Sequence, residues 1–286
     1  MLARLFAYVQ YLLPKFWLTS IVYRIARIPH AGFKDFLISR FVQLYGVDTS
    51  DTKLSVPGQF LTFNEFFIRE LADGARPIDP DPNVLTSPVD GTVSQIGQLR
   101  DDAILQAKGI EYSLDDLLAT DIDDARAYAD GSFATLYLAP YNYHRVHAPI
   151  AGTLMSASYV PGDLFSVNTA TAETIRGLFR RNERLVLRFS TTHGPAAVIF
   201  VGALNVGSIS TPWSGAIRPR YFGVVESIEL GAEPVTVAKG DLLGWFNMGS
   251  TVILLMPQGA CNWRANLSAG MAVRMGEAIG ELTGVT

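Results

Sequence analysis

Two of the chain's four histidines stand three residues apart in Tyr141-Asn142-Tyr143-His144-Arg145-Val146-His147, between Pro140 and Pro149. Imidazole is the side chain that moves protons near neutral pH, so the pair is a candidate for acid-base work. In an extended segment a spacing of three sends the two rings to opposite faces, and the two histidines would then do different jobs. Zinc fits poorly, because a closed site needs further ligands, Cys261 is the one cysteine, and His193, the one later histidine, sits in a Gly-Pro turn. No metal is expected. The plain alternative for such a pair is a turn with two exposed histidines.

A second constellation is Phe246-Asn247-Met248-Gly249-Ser250-Thr251-Val252-Ile253, a Gly-Ser-Thr step at the entrance to an apolar strand. A serine hydroxyl becomes a nucleophile only beside a base, and His147 with a carboxylate such as Asp90 would complete a Ser-His-Asp set. The Gly-x-Ser-x-Gly elbow of α/β-hydrolases is absent and the coarse pattern is not βαβ. Taken alone, Ser250 also reads as a cap and Asp90 as a plain turn carboxylate.

The elements that must hold these groups are mostly strands. With 286 residues, 49% hydrophobic and 17% charged, the chain can bury a large core, and disorder is excluded. Helical periodicity after residue 60 is confined to Phe63 to Leu71, Leu114 to Leu118 and Ala172 to Phe179. Phe133 to Leu138, Leu185 to Phe189, Ala197 to Val201, Val224 to Leu230 and Val252 to Leu255 read as strands between turn residues. The fold class is therefore α+β, predominantly β.

Two internal repeats refine this. Pro88-Val-Asp-Gly-Thr-Val93 matches Pro149-Ile-Ala-Gly-Thr-Leu154, and Val237-Ala-Lys-Gly-Asp-Leu-Leu-Gly244 matches Val273-Arg-Met-Gly-Glu-Ala-Ile-Gly280. They resemble the corners of biotinyl and lipoyl hammerhead domains, which implies a flattened β-sandwich of two interleaved halves. Lys239 lacks the Met-Lys-Met setting of a biotin carrier. The acidic stretch Asp115 to Asp124 reads as a solvated face.

Charge is distributed unevenly. Arg4, Lys15, Arg24, Arg27, Lys34 and Arg40 face one acid, Asp35, in residues 1–47, a net of +5 that leaves −9 for the rest of a chain totalling −4. The acidic body repels nucleic acid, while a basic apolar N-terminus suits an anionic membrane surface. Its uncharged runs are well short of the ~20 residues of a spanning helix. Leu2, Leu5, Phe6, Val9, Leu12, Leu13 and Phe16 recur at helical steps, as do Phe33, Leu37, Phe41 and Leu44. Such helices, with Arg and Lys on their rims, suit in-plane insertion; packing on the protein's own core is the alternative. No small-x-small cleavage site follows the run, so a signal peptide is not expected. Residues 1–60 are read as a membrane-associating segment and 61–286 as the catalytic domain. The lone cysteine fits a reducing compartment.

Taken together and in order, Phe63-Asn-Glu-Phe-Phe-Ile-Arg-Glu-Leu71, Arg76-Pro-Ile-Asp79, Ser87-Pro-Val-Asp-Gly91, Ile104-Leu-Gln-Ala-Lys-Gly109, Tyr143-His-Arg-Val-His147, Tyr159-Val-Pro-Gly-Asp-Leu-Phe-Ser-Val-Asn168 and Gly249-Ser-Thr-Val-Ile253 resemble the bacterial phosphatidylserine decarboxylase family. The resemblance spans essentially the whole chain. It implies a self-processing enzyme that breaks between Gly249 and Ser250, into a β chain of residues 1–249 and an α chain of residues 250–286. Ser250 then becomes an N-terminal pyruvoyl group, a covalent cofactor that decarboxylates phosphatidylserine to phosphatidylethanolamine through a Schiff base. Met248 replaces the family's usual Leu, an exchange of similar volume.

The resemblance also implies roles: Asp90 and His147 activate Ser250, His144 returns a proton to the former α-carbon, and Phe165 and Val167 form an apolar wall. It implies as partners the lipid substrate, an anionic membrane surface and the two pieces of one precursor, with a homodimer left open, and a peripheral location on the cytoplasmic side of the cell membrane. The residues without the resemblance leave two other readings, a membrane-associated serine hydrolase using Ser250, His147 and Asp90, and a non-catalytic hammerhead module.

Overall fold

The computed structural model describes residues 2–107, 110–119 and 125–284, with side chains from Phe6 onward except those of residues 105 and 107. The helix-face positions Leu2 and Leu5, the motif residues Lys108 and Gly109 and the acidic run 120–124 lie wholly or in their side chains outside the described residues.

Helices α1 (Leu2–Val9), α2 (Lys15–Ile25) and α3 (Ala31–Tyr45) open the chain, and a short α4 (Phe63–Phe67) follows. Thr62 starts α4 by accepting the Glu65 amide at 3.1 Å, while the Glu65 carboxylate accepts the Leu61 amide, so a local capping exchange fixes where the Phe63, Phe66 and Phe67 rings emerge. Strands β1 (Val84–Thr86), β2 (Gly91–Gln98), β3 (Ala103–Ala107) and β4 (Ile110–Ser113) lead to α5 (Leu114–Leu118). Next come β5 (Ser132–Leu138), β6 (Arg145–His147) and β7 (Gly152–Val160), then α6 (Thr169–Ala172) and α7 (Leu178–Arg181). The remaining strands are β8 (Arg184–Thr191), β9 (Gly194–Val201), β10 (Ile209–Thr211), β11 (Gly215–Ile217), β12 (Glu226–Ser227), β13 (Val235–Val237), β14 (Leu242–Phe246), β15 (Ser250–Met256), β16 (Cys261–Trp263), β17 (Ala272–Val273) and β18 (Ala278–Leu282). The fold is α+β and mostly β.

The largest sheet has the order β12-β7-β8-β9-β15-β5-β2-β17, with β13 also on β7. β15 lies at its middle between β5 and β9, and every residue from Ser250 to Met256 is buried, which explains the unbroken apolar run after Thr251. Val224 to Leu230 yields only the two-residue β12, because β7 gives the rest of that edge to β13.

The sequence repeats are visible in the ladders. β2 and β7 both begin at the repeat glycine, and Gly91 pairs with Val273 as Gly152 pairs with Val237. β18 returns to β1 as β14 returns to β6. The intervening turns need a left-handed residue, and Gly240 (φ +90°) and Gly276 (φ +86°) supply it. The sheets are open, and the finer expectation of a hammerhead sandwich goes beyond these ladders.

The N-terminal helices invert the usual burial pattern. Polar and small residues (Ala7, Gln10, Lys15, Thr19) face the body, while Leu12 is 86% and Trp17 63% exposed. Lys15 and Lys34 are not rim residues as expected. Lys15 is buried against Asp163 (3.0 Å) and the Phe165 ring, and Lys34 bonds Asp35 and the Pro57 carbonyl. Among the described residues no helix is long and apolar enough to cross a membrane.

Buried Glu183, just before β8, accepts the Tyr159 hydroxyl at 2.8 Å, and burial pushes its pKa up to about 7. Between the ordinary carboxyl value of 4.5 and about 7 the folded chain keeps a proton that the unfolded chain has released, so this group lowers stability as pH rises through that window. Glu183→Gln should flatten that part of the profile, read from urea midpoints against pH in an uncleavable chain. Equal slopes with and without the carboxyl would mean that Glu183 is ionised in the fold.

Candidate active site

Ser250 sits at the first position of β15 opposite Leu138, and its Oγ is buried without a hydrogen-bond partner among the described residues. Such a group costs stability; Thr135 and Thr251 share the condition, and Ser250 differs from them in following a glycine at positive φ. Gly249 has φ +21°, a conformation that side chains rarely adopt, yet an added Cβ would meet nothing within 4 Å. The glycine is thus required by backbone conformation rather than by crowding.

The segment before it is clamped. The Asn247 amide nitrogen donates to the Ser208 carbonyl (3.2 Å), Ser208 Oγ (2.8 Å) and Ser210 Oγ (3.0 Å), and its Oδ1 accepts from Asn64 of α4 (3.0 Å). Neither Asn247 nor Asn64 stands out in the sequence; the signal was the place of Asn64 inside the Phe63–Leu71 stretch quoted for the family and of Asn247 two residues before Gly249. Met248 packs into the aromatic cluster of Phe60, Phe63, Phe66 and Phe67. It also lines an apolar cavity of about 300 Å³ with Val22, Ile25, Leu37, Phe41 and Leu44, so α2 and α3 reach the Gly-Ser step.

His144 is fully buried, its ring 4.1 Å from that of Phe67, and its carbonyl accepts the Phe246 amide at 3.1 Å. Burial, helped by the nearby Arg69 charge, lowers its pKa to about 3, so the ring is neutral at physiological pH. The Asn142 carbonyl opposes this, but neither ring nitrogen completes a well-formed hydrogen bond among the described residues.

His147 lies opposite Leu242, farther along β14 from Ser250 than His144 is. Its Nδ1 is 2.8 Å from the Gly240 carbonyl and its Nε2 2.9 Å from the Tyr143 hydroxyl. A carbonyl can only accept, so Nδ1 carries the proton and the Nε2 lone pair accepts the Tyr143 hydroxyl, the tautomer of a general base. Burial lowers the His147 pKa and helps keep Nε2 unprotonated.

The expected direct contact between Asp90 and His147 is not present among the hydrogen bonds of the described residues. Asp90 instead accepts Arg76 through both oxygens (Nε to Oδ1 2.9 Å, Nη2 to Oδ2 2.6 Å) and the Met275 amide (2.9 Å). The repeat explains the separation. Each unit uses its glycine turn to hold one group, Met275 for Asp90 and Gly240 for His147, and the carboxylate reaches the imidazole only as a charge that opposes the fall in its pKa. Phe165 and Val167 are buried as a wall would be. The Phe165 contacts run to Tyr11 (ring centroids 4.8 Å apart), Lys15 and Asn182, which places it under the α1–α2 turn.

A family model described as phosphatidylserine decarboxylase matches residues 63–281, and a shorter one described as PSD matches residues 5–46. The chain belongs to the phosphatidylserine decarboxylase family. Curated relatives carry the name phosphatidylserine decarboxylase proenzyme. That from Marinobacter nauticus is 45% identical over 99% of both chains. Those from Methylococcus capsulatus (44%; 97% of this chain, 96% of the relative) and Alcanivorax borkumensis (45%; 98% and 97%) are similar at nearly full length. Within the family frame, α4 gains a purpose: its one turn supplies Asn64 to the clamp on Asn247 and Phe67 to the face of His144.

Proposed function

We propose that this chain is a self-processing decarboxylase that converts phosphatidylserine to phosphatidylethanolamine and carbon dioxide, with a pyruvoyl group made from Ser250. The observation that carries the reading is the Gly249-Ser250 step, where a glycine at positive φ precedes a buried hydroxyl that has no hydrogen-bond partner among the described residues. Membership of a family whose members are named proenzymes supports it and does not favour the hydrolase or binding-module alternatives.

In the first step Oγ of Ser250 attacks the Gly249 carbonyl carbon, the peptide C–N bond breaks, and an ester forms with a free amine. Loss of the Ser250 α-proton and of the ester oxygen then leaves a Gly249 carboxylate and a dehydroalanine, which water converts to a ketone with release of ammonia. Every atom comes from the chain or from water, and no oxidant is needed. His147 accepts the hydroxyl proton at Nε2, which requires the Tyr143 hydroxyl to give way or to relay the proton. Asp90, fixed by Arg76, favours the imidazolium by its charge. Asn247 holds the leaving segment against β10 while the peptide rearranges.

The residues fit such a group, since the Ser250 backbone opens a buried strand from which water is excluded. The group supplies Schiff-base electron-sink chemistry for the electron pair left when the carboxyl departs. His144, neutral beside Phe67, is read as a proton carrier: a ring nitrogen takes up a proton released within the site and delivers it to the former α-carbon. Phe165 and Val167, both buried, supply an apolar wall.

The apolar cavity beside Met248 suits an acyl chain, and the exposed apolar faces of α1 to α3 suit peripheral attachment to an anionic membrane on its cytoplasmic side. The boundary at residue 60 separates functions rather than cores, since Phe60 packs with Phe63 and Ile38. Other partners are the two pieces of the precursor and, in a homodimer, a second copy. Intact-mass analysis tests the reading: two fragments divided at Gly249-Ser250 are expected, the smaller blocked to Edman degradation, with release of carbon dioxide from phosphatidylserine. An active preparation that remains one chain would overturn it.

A further inference from the structure

We infer that residues 221–225 form a second membrane-inserting element, entering an anionic phospholipid bilayer together with the α1–α2 turn. The inference rests on the peripheral-membrane reading above and extends it to a loop far from the N-terminus. Tyr221, Phe222, Val224 and Val225 are all exposed, Phe222 by 83% and Val224 by 77%. Contiguous apolar exposure of this kind marks an interaction surface.

The loop is held at its base and free at its tip. The Arg220 amide donates to the Tyr159 hydroxyl (3.0 Å), its carbonyl accepts the Gly162 amide (3.1 Å), and its guanidinium grips Glu226 through two bonds of 2.6 Å. The Tyr221 ring meets Phe16 edge-on at 5.6 Å, which joins the tip to the surface that carries Leu12 and Trp17. Tyr11, Leu13, Phe16, Trp17 and Tyr221 line one cleft there. Apolar side chains from two distant parts of the chain therefore share one surface, with Lys15, Asp163 and Arg181 in the same cleft.

Charge selects the occupant. The Arg27 and Arg218 guanidinium groups lie 3.5 Å and 3.6 Å from the centre of the Tyr23 ring, and neither has an ion pair among the described residues. The Tyr23 ring holds both cations by its face and leaves their charge without a carboxylate partner, so a layer of phosphates above a hydrocarbon phase is the complementary surface. Aromatic rings flanked by arginine are the composition of a membrane interface.

Cys261 is the one cysteine and is buried, so Phe222→Cys in the full chain can carry an environment-sensitive fluorophore at that site alone. On phosphatidylcholine vesicles containing phosphatidylglycerol, a blue shift is expected. The double variant Phe222→Ser, Val224→Ser should lose about tenfold or more in vesicle partitioning, with an unchanged thermal midpoint. Arg27→Ala with Arg218→Ala should weaken binding to anionic vesicles and leave binding to neutral ones unchanged. A label that stays in water on vesicle-bound protein overturns this inference alone, as does its burial in a dimer without lipid. Failure of the unmodified chain to sediment with any vesicle would remove the peripheral reading with it.

Discussion

Ser250→Ala leaves one chain of 31.2 kDa, with no reactive carbonyl and no decarboxylation above background. Removal of Oγ takes away the atom that must attack Gly249, and no other hydroxyl occupies that position in the chain, so cleavage stops rather than slows. The loss of decarboxylation should be more than about a million-fold, at least the low end of what enzymes contribute over the uncatalysed reaction. Stability should change little or rise, because the variant removes a buried polar atom that has no partner among the described residues. Intact mass, a carbonyl-directed hydrazide and carbon dioxide release read the three outcomes separately. Cleavage in the alanine variant would place the break elsewhere and sink the assignment.

The two histidines should separate cleavage from decarboxylation. His147→Ala is expected to accumulate uncleaved chain, with processing slowed by about 10² to 10⁴, the usual contribution of a general base. His144→Ala should yield both fragments and a carbonyl but decarboxylate slower by a similar factor. Asp90→Asn should slow cleavage less than His147→Ala, because the carboxylate acts on the imidazole through its charge and lies bonded to Arg76. Time courses of fragment formation and of carbon dioxide release distinguish these outcomes. The ladder gives the comparison force, since His144 stands opposite Phe246, nearer the cleavage step than His147 opposite Leu242. An uncleaved His144→Ala chain would exchange the two roles.

Val224 and Val225 show how far a strand pattern can be trusted at an edge. Residues 224–230 have the composition of a strand, yet a strand needs a partner, and the free edge of β7 is divided between β12 and β13. The N-terminal segment is likewise legible as helix, although Gln10 to Pro14 break it into two, and its apolar face is exposed as in-plane insertion expects, while the polar residues that anchor it are not legible. Gln10 and Lys15 make bonds to Thr171 and Asp163 that no local pattern foretells. Exposure of Leu12 and Trp17 follows from that anchoring.

By itself the sequence determined the mainly β fold class, the paired Pro-x-x-Gly and Val-x-x-Gly units, and the rarity of the groups able to do chemistry, because turn glycines, apolar runs and histidines are local properties. Only the tertiary structure decided that Asp90 is bonded to Arg76, that His147 is oriented by the Gly240 carbonyl, and that Asn64 and Phe67 of α4 reach the cleavage step. Those contacts join residues from 14 to 183 positions apart along the chain. Their geometry depends on how sheets and helices close over one another, which short-range spacing does not encode.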